Sequence, residues 1–495
     1  MFVATSKQMK AYDEALLEEG YTIEELVDKA SNVLLLHCNE YNRVVIVSGP
    51  GNNGADGISL ALKLKERNKE VHLFVLGQFN KLSSANQYYL SLAKETSLPT
   101  VFLEEDTMDF FIEKATSANV VIDAMFGFGL HSDPRGIAKI VIEEINKLYD
   151  VDILAIDIPT GLDCDTGLPY QSVVCATKTV TLTALKQAFL NEECHMYTGD
   201  IMVETLDAKD LHEQIGLAKL VSPSWIKYHL KPRLYHGHKG NYGRILHITG
   251  CSQYRGASLL SSKASVYSGS GVVCVCSSQE VINALSVVTP ECTSMIRPEN
   301  IDLSLCNRYD AILIGSGLGL SQEAYQYVED VLLTSEAPVV IDADALTIIS
   351  ENKDLLLQTK APIVLTPHFG EFKRFIPYAS EIEMVDLARE FAKEYNVILV
   401  LKGPNTIITD GKEMYRNITA NKAMATAGMG DVLAGMIVSF IGQGYSLKNA
   451  SIIATYLHGK CGDEIAKKEY TVIPTRLIEL IPQQMHDIIE QESRF

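Results

Sequence analysis

Basic residues are scarce in this chain relative to acidic ones. Its 495 residues include 43 Lys and Arg against 62 Asp and Glu, which gives a formal net charge of −19. Nucleic acids and anionic membranes attract basic surfaces, so this balance argues against either as the main partner. It still leaves room for small basic pockets that bind phosphate groups.

Long apolar runs and cysteine motifs are missing as well. The longest apolar stretch, near residues 432–441, is much shorter than the roughly 18–20 residues of a membrane-spanning helix. No apolar core follows the first residues, so no signal peptide is expected. The ten cysteines include no CxxC pair, which favours free thiols in a reducing compartment, the cytoplasm, over disulfides or a zinc site.

Short β-branched runs alternate with longer amphipathic segments in the first part of the chain, for example the helical patterns 58–67 and 137–148. This rhythm predicts βαβ units and a mostly parallel sheet. The predicted strands are 44–47, 71–76, 120–123, 153–157, 178–182 and 201–204.

A second α/β series begins near Tyr242, and the segment before it, which contains Pro223 and the only tryptophan, lacks the rhythm. We therefore predict a domain over residues 1–210, a linker over 211–235 and a second domain over 236–495. The strands predicted in the second series are 244–248, 272–276, 311–314, 339–341, 363–365, 398–401 and 406–409.

The first predicted strand leads into the loop GPGNNGADG, residues 49–57. Its Gly-x-Gly-x-x-Gly spacing is typical of a dinucleotide site, where glycines and a helix N-terminus receive phosphates. A bound redox cofactor would also need an acidic residue at the end of the second strand. That strand ends in Leu76-Gly77-Gln78. We interpret the loop as binding a dinucleotide in another role, with a plain tight turn as the alternative.

Two further loops carry a carboxylate at the end of a predicted strand. Asp123 precedes a glycine-rich segment and Asp157 precedes another. Such positions face the ligand side of a parallel sheet. Asp123 together with amide, hydroxyl and carbonyl oxygens would suit a cation. For either residue taken alone, the alternative is a helix cap or a turn residue, which three such loops in one sheet make less attractive.

The motifs GPGNNGADG, DAMFGFGL, DIPTGLDCDTG and TLTALK occur in an order that resembles the NAD(P)HX epimerase domain of bifunctional NAD(P)H-hydrate repair enzymes. The resemblance covers residues 1–210. It implies a Rossmann-like fold that binds hydrated NAD(P)H and equilibrates its R and S forms, with Asp157 and Lys186 as catalytic residues. It also implies a potassium ion held by Asn53, Asp123 and Thr160. The implied substrate residues are Asn52, Asn53, Gly54, Ala55, Asp56, Gly127, Phe128, Gly129, Leu130, His131, Ser132, Asp133 and Asp157.

Two residues depart from that family pattern. Ala55 stands where a glycine is usual, and it would be strained only at a positive φ. Phe128 stands where a small hydroxyl residue is usual, so a contact to the ligand would be lost. The lysine at 186 is also followed by Gln187-Ala188 rather than a proline–glycine pair.

In the second series, small residues lead into Gly428-Met-Gly430-Asp431 and then an apolar helical segment. The loop N–H groups and the helix N-terminus would form an anion hole. Asp431 would accept the proton of a hydroxyl that attacks phosphorus, or it is simply an N-cap. No GxxxxGK[ST] motif and no protein-kinase signature occurs. Phosphoryl transfer would therefore rely on this Asp, the anion hole and a divalent ion.

Two other segments fit beside it. Lys402-Gly403-Pro404-Asn405-Thr406 follows a predicted strand and would cradle a nucleotide, or it forms a β-turn. His368 ends another strand, and with no partner visible in the sequence it is, taken alone, more often a hydrogen-bonded structural residue.

These motifs, with HKGNYG, RGA, SGSG, GSGLG and DADAL, resemble the ADP-dependent NAD(P)HX dehydratase, which has a ribokinase-like α/β fold. The match runs from residue 236 nearly to the end, with Ser258 and Ser316 as mild departures. It implies phosphoryl transfer from ADP or ATP with Mg²⁺ to the 6-hydroxyl of hydrated NAD(P)H, followed by loss of phosphate. Asp431 would be the base. The implied hydrate-site residues are Ala257, Gly317, Gly319, His368 and Asp431, and the implied nucleotide-site residues are Lys402, Gly403, Pro404, Asn405, Thr406 and Gly430.

Together the two resemblances imply a cytoplasmic, homo-oligomeric, bifunctional enzyme that acts on NADHX and NADPHX. Two alternatives stay open. The second domain would instead phosphorylate a vitamin or sugar, or the first would be a non-catalytic binding or oligomerisation module.

Overall fold

The computed structural model describes residues 1–298, 303–377 and 384–490. The chain divides into two compact units, Met1–Leu217 and Ala218–Phe495. The segment predicted as a linker is not extended chain, because it contains two short helices and a strand.

The first unit is a parallel α/β sheet with helices between its strands. The sheet order is β4-β3-β2-β5-β6-β7-β9, and every neighbouring pair is parallel. A separate short pair, β1 with β8, is also parallel. The elements are β1 (Phe2–Ala4), α1 (Ser6–Glu18), α2 (Ile23–Leu36), β2 (Arg43–Ser48), α3 (Asn52–Glu66), β3 (Glu70–Val75), α4 (Ser84–Glu95), β4 (Thr100–Phe102), α5 (Met108–Ser117), β5 (Val120–Ala124), α6 (Ile137–Ile145), β6 (Asp152–Ile156), β7 (Lys178–Leu182), β8 (Leu185–Lys186), α7 (His195–Thr198), β9 (Asp200–Glu204) and α8 (His212–Ile215).

The strand order of this sheet reverses at β2 and β5. From β2 the chain runs outward to β3 and β4, and from β5 it runs the other way. Loops diverge at such a switch point and leave a crevice at the carboxyl ends of the two strands. Apolar side chains fill both faces of the sheet, under α2, α3 and α4 on one side and under α5 and α6 on the other.

The second unit has a longer mixed sheet. Within it the strand order is β13-β12-β11-β14-β15-β16-β17-β18-β19-β10, and β18 is antiparallel to both of its neighbours. The elements are β10 (Ala218–Leu220), α9 (Pro223–His229), β11 (Arg244–Ile248), α10 (Arg255–Tyr267), β12 (Val272–Ser277), α11 (Gln279–Val288), β13 (Thr293–Ile296), β14 (Ala311–Ile314), α12 (Gln322–Thr334), β15 (Val339–Ile341), α13 (Asp344–Glu351), α14 (Leu355–Gln358), β16 (Ile363–Leu365), α15 (Phe369–Phe375), α16 (Met384–Tyr395), β17 (Ile398–Leu401), β18 (Thr406–Thr409), β19 (Met414–Asn417), α17 (Met429–Gly442), α18 (Leu447–Ala466) and α19 (Pro474–Glu490). Hydrophobic clusters cover both faces of the sheet.

Every strand predicted from the sequence is present to within one or two residues. Among the described residues, six strands of two to four residues were not predicted, namely β1, β4, β8, β10, β13 and β19. These strands are too short to show an alternation of apolar and polar residues, and their pairing depends on neighbours far along the chain. Helix α3 begins at Asn52, so the predicted loop residues 52–57 are helical. Helix α6 ends at Ile145, before the predicted 148.

The apolar helix α17 lies very close to α10. A Cβ placed on Gly435 would be 2.1 Å from the carbonyl oxygen of Ser261, while the Ser265 hydroxyl donates a 2.7 Å hydrogen bond to Gly435 O. Glycine is therefore required for this contact between helices. Neither α17 nor any other helix within the described ranges is long and apolar enough to span a membrane.

Replacing Gly435 by alanine should lower the free energy of unfolding by about 1–3 kcal/mol, because the added methyl group forces the two helices apart. The change is measured from the unfolding transition of the second unit in chemical denaturant. Gly256→Ala is the matched control, since it lies in α10, the helix that faces Gly435, and a Cβ there meets nothing within 4 Å. An equal effect from both substitutions would contradict the steric explanation.

Candidate functional site

A cavity of about 710 Å³ opens in the first unit where β2, β5, β6 and β7 end. This volume suits a small organic ligand. Most of the predicted substrate residues lie on its wall. They are Asn52, Asn53, Asp56, Gly127, Phe128, Gly129, Leu130, His131, Ser132 and Asp157.

Three predicted substrate residues do not line this cavity. Gly54 and Ala55 are buried inside α3, where they pack against the sheet. The Asp133 carboxylate accepts a 2.8 Å hydrogen bond from the Gln171 backbone N–H and thus braces a loop. Ala55 has no positive φ, so replacing the usual glycine causes no strain. Phe128 extends the apolar part of the wall beside Met9.

Sterics and one asparagine shape the glycine loop. A Cβ on Gly49 would be 1.6 Å from Met125 O, and one on Gly54 would be 2.0 Å from Gly49 O. From α4, the buried Asn86 donates through Nδ2 to Gly51 O at 2.8 Å and to Gly49 O at 3.3 Å. The loop is therefore fixed without a ligand. Asn86 was not predicted from the sequence, because nothing in the pattern of α4 distinguishes it.

Asp123 is fully buried and satisfied by hydrogen bonds. The Thr160 hydroxyl and backbone N–H each donate to it at 2.8 Å, and the Met125 N–H donates at 3.1 Å. Burial raises the pKa of Asp123 to about 6, although these hydrogen bonds oppose the rise. Thr160 also accepts a hydrogen bond from the Phe126 N–H.

Asn53 reaches the other side of the same loop. A Cβ on Gly127 would lie 3.3 Å from Asn53 Cβ, and the buried Asn53 Nδ2 has no hydrogen-bond partner among the residues described. The segment 126–127 thus lies between Thr160 and Asn53. The three predicted cation ligands converge on one loop.

Asp157 and Lys186 form an ion pair of 2.5 Å inside the first unit. Lys186 Nζ also donates to the Thr181 hydroxyl and to Leu182 O, both at 2.9 Å. Strand β7 ends at Leu182, and a turn with Thr183 at φ 71° carries the chain into β8. Lys186 therefore lies on the short strand β8, beyond the predicted strand 178–182. The turn folds the lysine back onto the carboxylate.

Two more carboxyl groups line the cavity without such a partner. Burial is the main cause that raises the pKa of Asp13 to about 7, and the negative charge of Asp157 adds to it. Burial likewise raises the pKa of Asp56 well above its ordinary value. Asp13 was not predicted, because a single acidic residue in an amphipathic helix resembles any solvent-facing one.

The second unit has a different constellation at the start of α17. Its N-cap is Gly428 at φ 96°, and Asp431 is the third helical residue. The N-cap explanation for Asp431 is therefore wrong. Burial and the charge of Asp342 raise the pKa of Asp431 to about 7. A carboxyl group that titrates near neutrality is suited to accept a proton.

Lys402 connects the predicted nucleotide loop to this helix. Its Nζ lies 2.9 Å from Asp342 Oδ1 and 3.9 Å from Glu371 Oε2, and a Cβ on Gly430 would be 3.2 Å from it. Burial lowers the pKa of Lys402, but the two carboxylates outweigh burial and raise it. The ammonium group is thus held beside the N-terminus of α17. Asp342 belongs to the DADAL motif, but it was not predicted as a residue of the site.

The remaining loop residues form a hairpin turn between β17 and β18. The Thr406 hydroxyl accepts from the Gly403 N–H at 3.3 Å and donates to Gly403 O at 2.9 Å. Gly403 and Pro404 are exposed, and Asn405 O accepts from Arg416 at 3.2 Å. The predicted β-turn is present, and it leaves two residues free to face a ligand.

The predicted hydrate-site residues meet at a second set of strand ends. A Cβ on Gly317, at φ 63°, would be 2.8 Å from Ala257 Cβ, and the Gly319 N–H donates to Asp344 at 2.8 Å. His368 caps α15 by accepting the Gly370 N–H at 3.0 Å, which gives it a structural role. The backbone of His368 also forms an isolated parallel β-bridge with that of Lys402, so the two residues lie side by side at the strand ends.

Both units thus place charged side chains and glycine-rich loops at the carboxyl ends of parallel strands. This arrangement defines a class, the α/β proteins that bind nucleotides in such crevices.

Comparisons with known proteins narrow the class. Residues 19–188 match the family described as YjeF-related protein N-terminus, and residues 245–483 match NAD(P)H-hydrate dehydratase. The bifunctional NAD(P)H-hydrate repair enzyme Nnr of Moorella thermoacetica is 32% identical over 470 residues, covering 91% of this chain and 88% of the relative. The enzyme of the same name from Thermofilum pendens is 30% identical, covering 86% and 83%. The chain belongs to the family of bifunctional NAD(P)H-hydrate repair enzymes.

Solved structures resemble the second part of the chain. A ribokinase-like superfamily protein of Enterococcus faecalis has a TM-score of 0.52 and 29% identity, covering 55% of this chain and 96% of its own. The ADP/ATP-dependent NAD(P)H-hydrate dehydratase of Bacillus subtilis, co-crystallised with ATP and Mg²⁺, has a TM-score of 0.50 and 30% identity, covering 55% and 99%. The predicted ribokinase-like fold is confirmed.

Replacing Thr160 by valine should lower the free energy of unfolding by about 1–3 kcal/mol, because a buried carboxylate and the Phe126 N–H each lose a partner. Urea denaturation measures the loss. Thr100→Val is the matched control, since its hydroxyl bonds only to Leu98 O at the partly buried edge strand β4. A Thr160 variant as stable as this control would show that the hydroxyl does not support Asp123.

Proposed function

We propose that the protein repairs hydrated nicotinamide nucleotides in two steps. The second unit dehydrates S-NADHX and S-NADPHX at the expense of ADP or ATP, releasing AMP or ADP and phosphate. The first unit interconverts the R and S forms. The observation that carries this proposal is the juxtaposition of Asp431, with its pKa near 7, and Lys402 at the N-terminus of α17.

The dehydration follows from the chemistry of Asp431 and Lys402. Asp431 takes the proton of the 6-hydroxyl as the oxygen attacks the terminal phosphorus of the nucleotide. Lys402 and the N–H groups around Gly430 stabilise the negative charge that develops on the phosphoryl oxygens. Phosphate then leaves C6, C5 loses a proton, and the ring double bond re-forms. Hydroxide is a poor leaving group and phosphate a good one, so the transfer makes the elimination feasible.

Binding follows the same geometry. Lys402, Gly403, Pro404, Asn405, Thr406 and Gly430 would hold the nucleotide, and Ala257, Gly317, Gly319 and His368 would hold the hydrate. Mg²⁺ would enter with the phosphates and neutralise their charge. The Bacillus subtilis relative, which was co-crystallised with ATP and Mg²⁺, supports the use of a nucleotide with Mg²⁺.

In the first unit the cavity would hold the hydrated dinucleotide, with Asp157 and Lys186 at the reacting ring. Asn53, Asp123 and Thr160 offer amide, carboxylate and hydroxyl oxygens, which suit a hard cation such as K⁺. Such an ion would neutralise the buried carboxylate and fix the loop at 126–127. The ten free cysteines support the cytoplasm as its location. A homo-oligomeric state stays a prediction.

Asp431→Asn should lower S-NADHX dehydration at least about 100-fold, because the attacking hydroxyl loses its base, and should leave R/S epimerisation unchanged. Return of near-ultraviolet absorbance with ADP and Mg²⁺ measures the first reaction, and chromatography of the epimers measures the second. Asp157→Asn is the matched control, and it should lower R/S epimerisation and leave dehydration unchanged.

Wild-type protein that accumulates a stable phosphorylated product would identify the second unit as a vitamin or sugar kinase. A wild-type first unit that leaves R/S exchange at the spontaneous rate would identify it as a binding module. Either result overturns the corresponding half of the proposal.

Epimerisation should slow about tenfold or more when Li⁺ replaces K⁺, because the smaller ion does not fit ligands that are set for a larger one. Rates in chloride salts at constant ionic strength measure the effect. The Thr160→Val variant should respond less, since it lacks one ligand. Equal wild-type rates in K⁺ and Li⁺ would contradict a potassium site.

A further inference from the structure

One wall of the cavity in the first unit is formed by α1 and α2. Met9, Asp13 and Leu17 are four residues apart along α1, so they form one stripe that faces the cavity. Helix α2 adds Ile23, Leu26, Val27 and Ala30 to the same wall. Among the lining residues of these two fully described helices, Asp13 alone has a polar side chain. A carboxyl group is therefore set into an apolar wall.

Helix α1 is held firmly, so this carboxyl group has a defined position. Thr5 and Gln8 form a capping box at its start. The Ser6 backbone N–H donates to Asp165 at 2.7 Å, and the Tyr12 hydroxyl donates to Lys209 O at 3.2 Å. These bonds restrict the motion of Asp13 relative to the loops at the strand ends.

The charges around the cavity differ in how they are compensated. Asp157 is neutralised by Lys186 at 2.5 Å. Within the described chain, Asp13 and Asp56 are in no ion pair closer than 4.0 Å with a lysine or arginine. Desolvation by the apolar wall raises the pKa of Asp13 to about 7, with repulsion from Asp157 adding to it and attraction to Lys186 opposing it. The wall formed by α1 and α2 thus offers the proton of Asp13 at neutral pH. The end of β6 offers the carboxylate of Asp157, which is paired with Lys186.

We propose that Asp13 is a catalytic acid–base residue of the first unit, paired with Asp157, and that it acts on the 6-hydroxyl of the hydrated nicotinamide ring. This inference rests on the proposed epimerase function. Asp13 gives its proton to the hydroxyl oxygen, and the C6–O bond breaks with its electron pair leaving in water. The ring nitrogen lone pair forms a C6=N double bond, so the ring becomes a cation.

The cation is stabilised by the ionised Asp157. Water then adds to the other face of C6, and its proton passes to Asp157, which yields the opposite epimer. The two carboxyl groups regain their protonation states by exchange with solvent. In the reverse direction their roles are exchanged. No atom changes oxidation state overall, and no co-reactant beyond water is consumed.

The test uses full-length Asp13→Asn protein, which keeps the size of the side chain and removes the transferable proton. The kcat for conversion of R-NADHX, followed by chromatography without ADP, should fall at least about 100-fold. KM should stay within threefold of the wild-type value, and ADP-dependent dehydration should be unchanged. Asp13→Glu should recover at least a tenth of the wild-type kcat.

Glu14→Gln is the matched control, because it makes the same acid-to-amide change at the next, exposed position of α1. It should epimerise at the wild-type rate. Wild-type kcat in Asp13→Asn, or a raised KM with kcat preserved, overturns the catalytic assignment and leaves the epimerase function standing. No epimerisation by the wild type overturns that function instead. If Asp13→Asn lowers the unfolding midpoint, the Asp13→Glu variant provides the test instead. A kcat of Asp13→Glu no higher than that of Asp13→Asn would then overturn the proposal.

Discussion

Each unit depends on one largely buried lysine paired with an aspartate just beyond a strand end. Lys186 neutralises Asp157 at 2.5 Å, and Lys402 neutralises Asp342 at 2.9 Å. Burying either charge alone would be very unfavourable, so each pair requires its partner and the surrounding hydrogen bonds. The pairing also uses up the local positive charge. Burial, with repulsion from the paired aspartate, then raises the pKa of a second carboxyl group nearby.

In the proposed reactions, that second carboxyl group transfers the proton at each site. In the first unit it is Asp13, and in the second it is Asp431, and both have a pKa near 7. Groups that titrate near neutrality transfer protons efficiently in both directions. The same electrostatic arrangement therefore serves two reactions of one hydrated ring, epimerisation without a nucleotide and elimination with one. Neither unit needs a redox cofactor for this chemistry.

Glycine provides the space in which these groups meet. At Gly49 and Gly54 a side chain would collide with backbone atoms even without a ligand, so these glycines are first of all structural. Asn86 then fixes the carbonyl groups of the same loop. The Gly-x-Gly-x-x-Gly spacing alone does not separate a binding loop from a turn that packs closely. The cavity beside it, lined by Asn52, Asn53 and Asp56, supports the binding interpretation.

The sequence alone determined the two α/β series, their long strands, the glycine loops and the family, because these features are local or lie in contiguous motifs. It also indicated Asp157, Lys186, Asp123 and Asp431, which stand at strand ends or in specific motifs. Only the tertiary structure decided how charge is shared among them. It showed that a turn at Thr183 returns Lys186 to Asp157, that Asp431 is inside α17 rather than its cap, and that α1 contributes Asp13. A pKa near 7 depends on burial and on charges brought from distant segments, and neither is written in any local pattern.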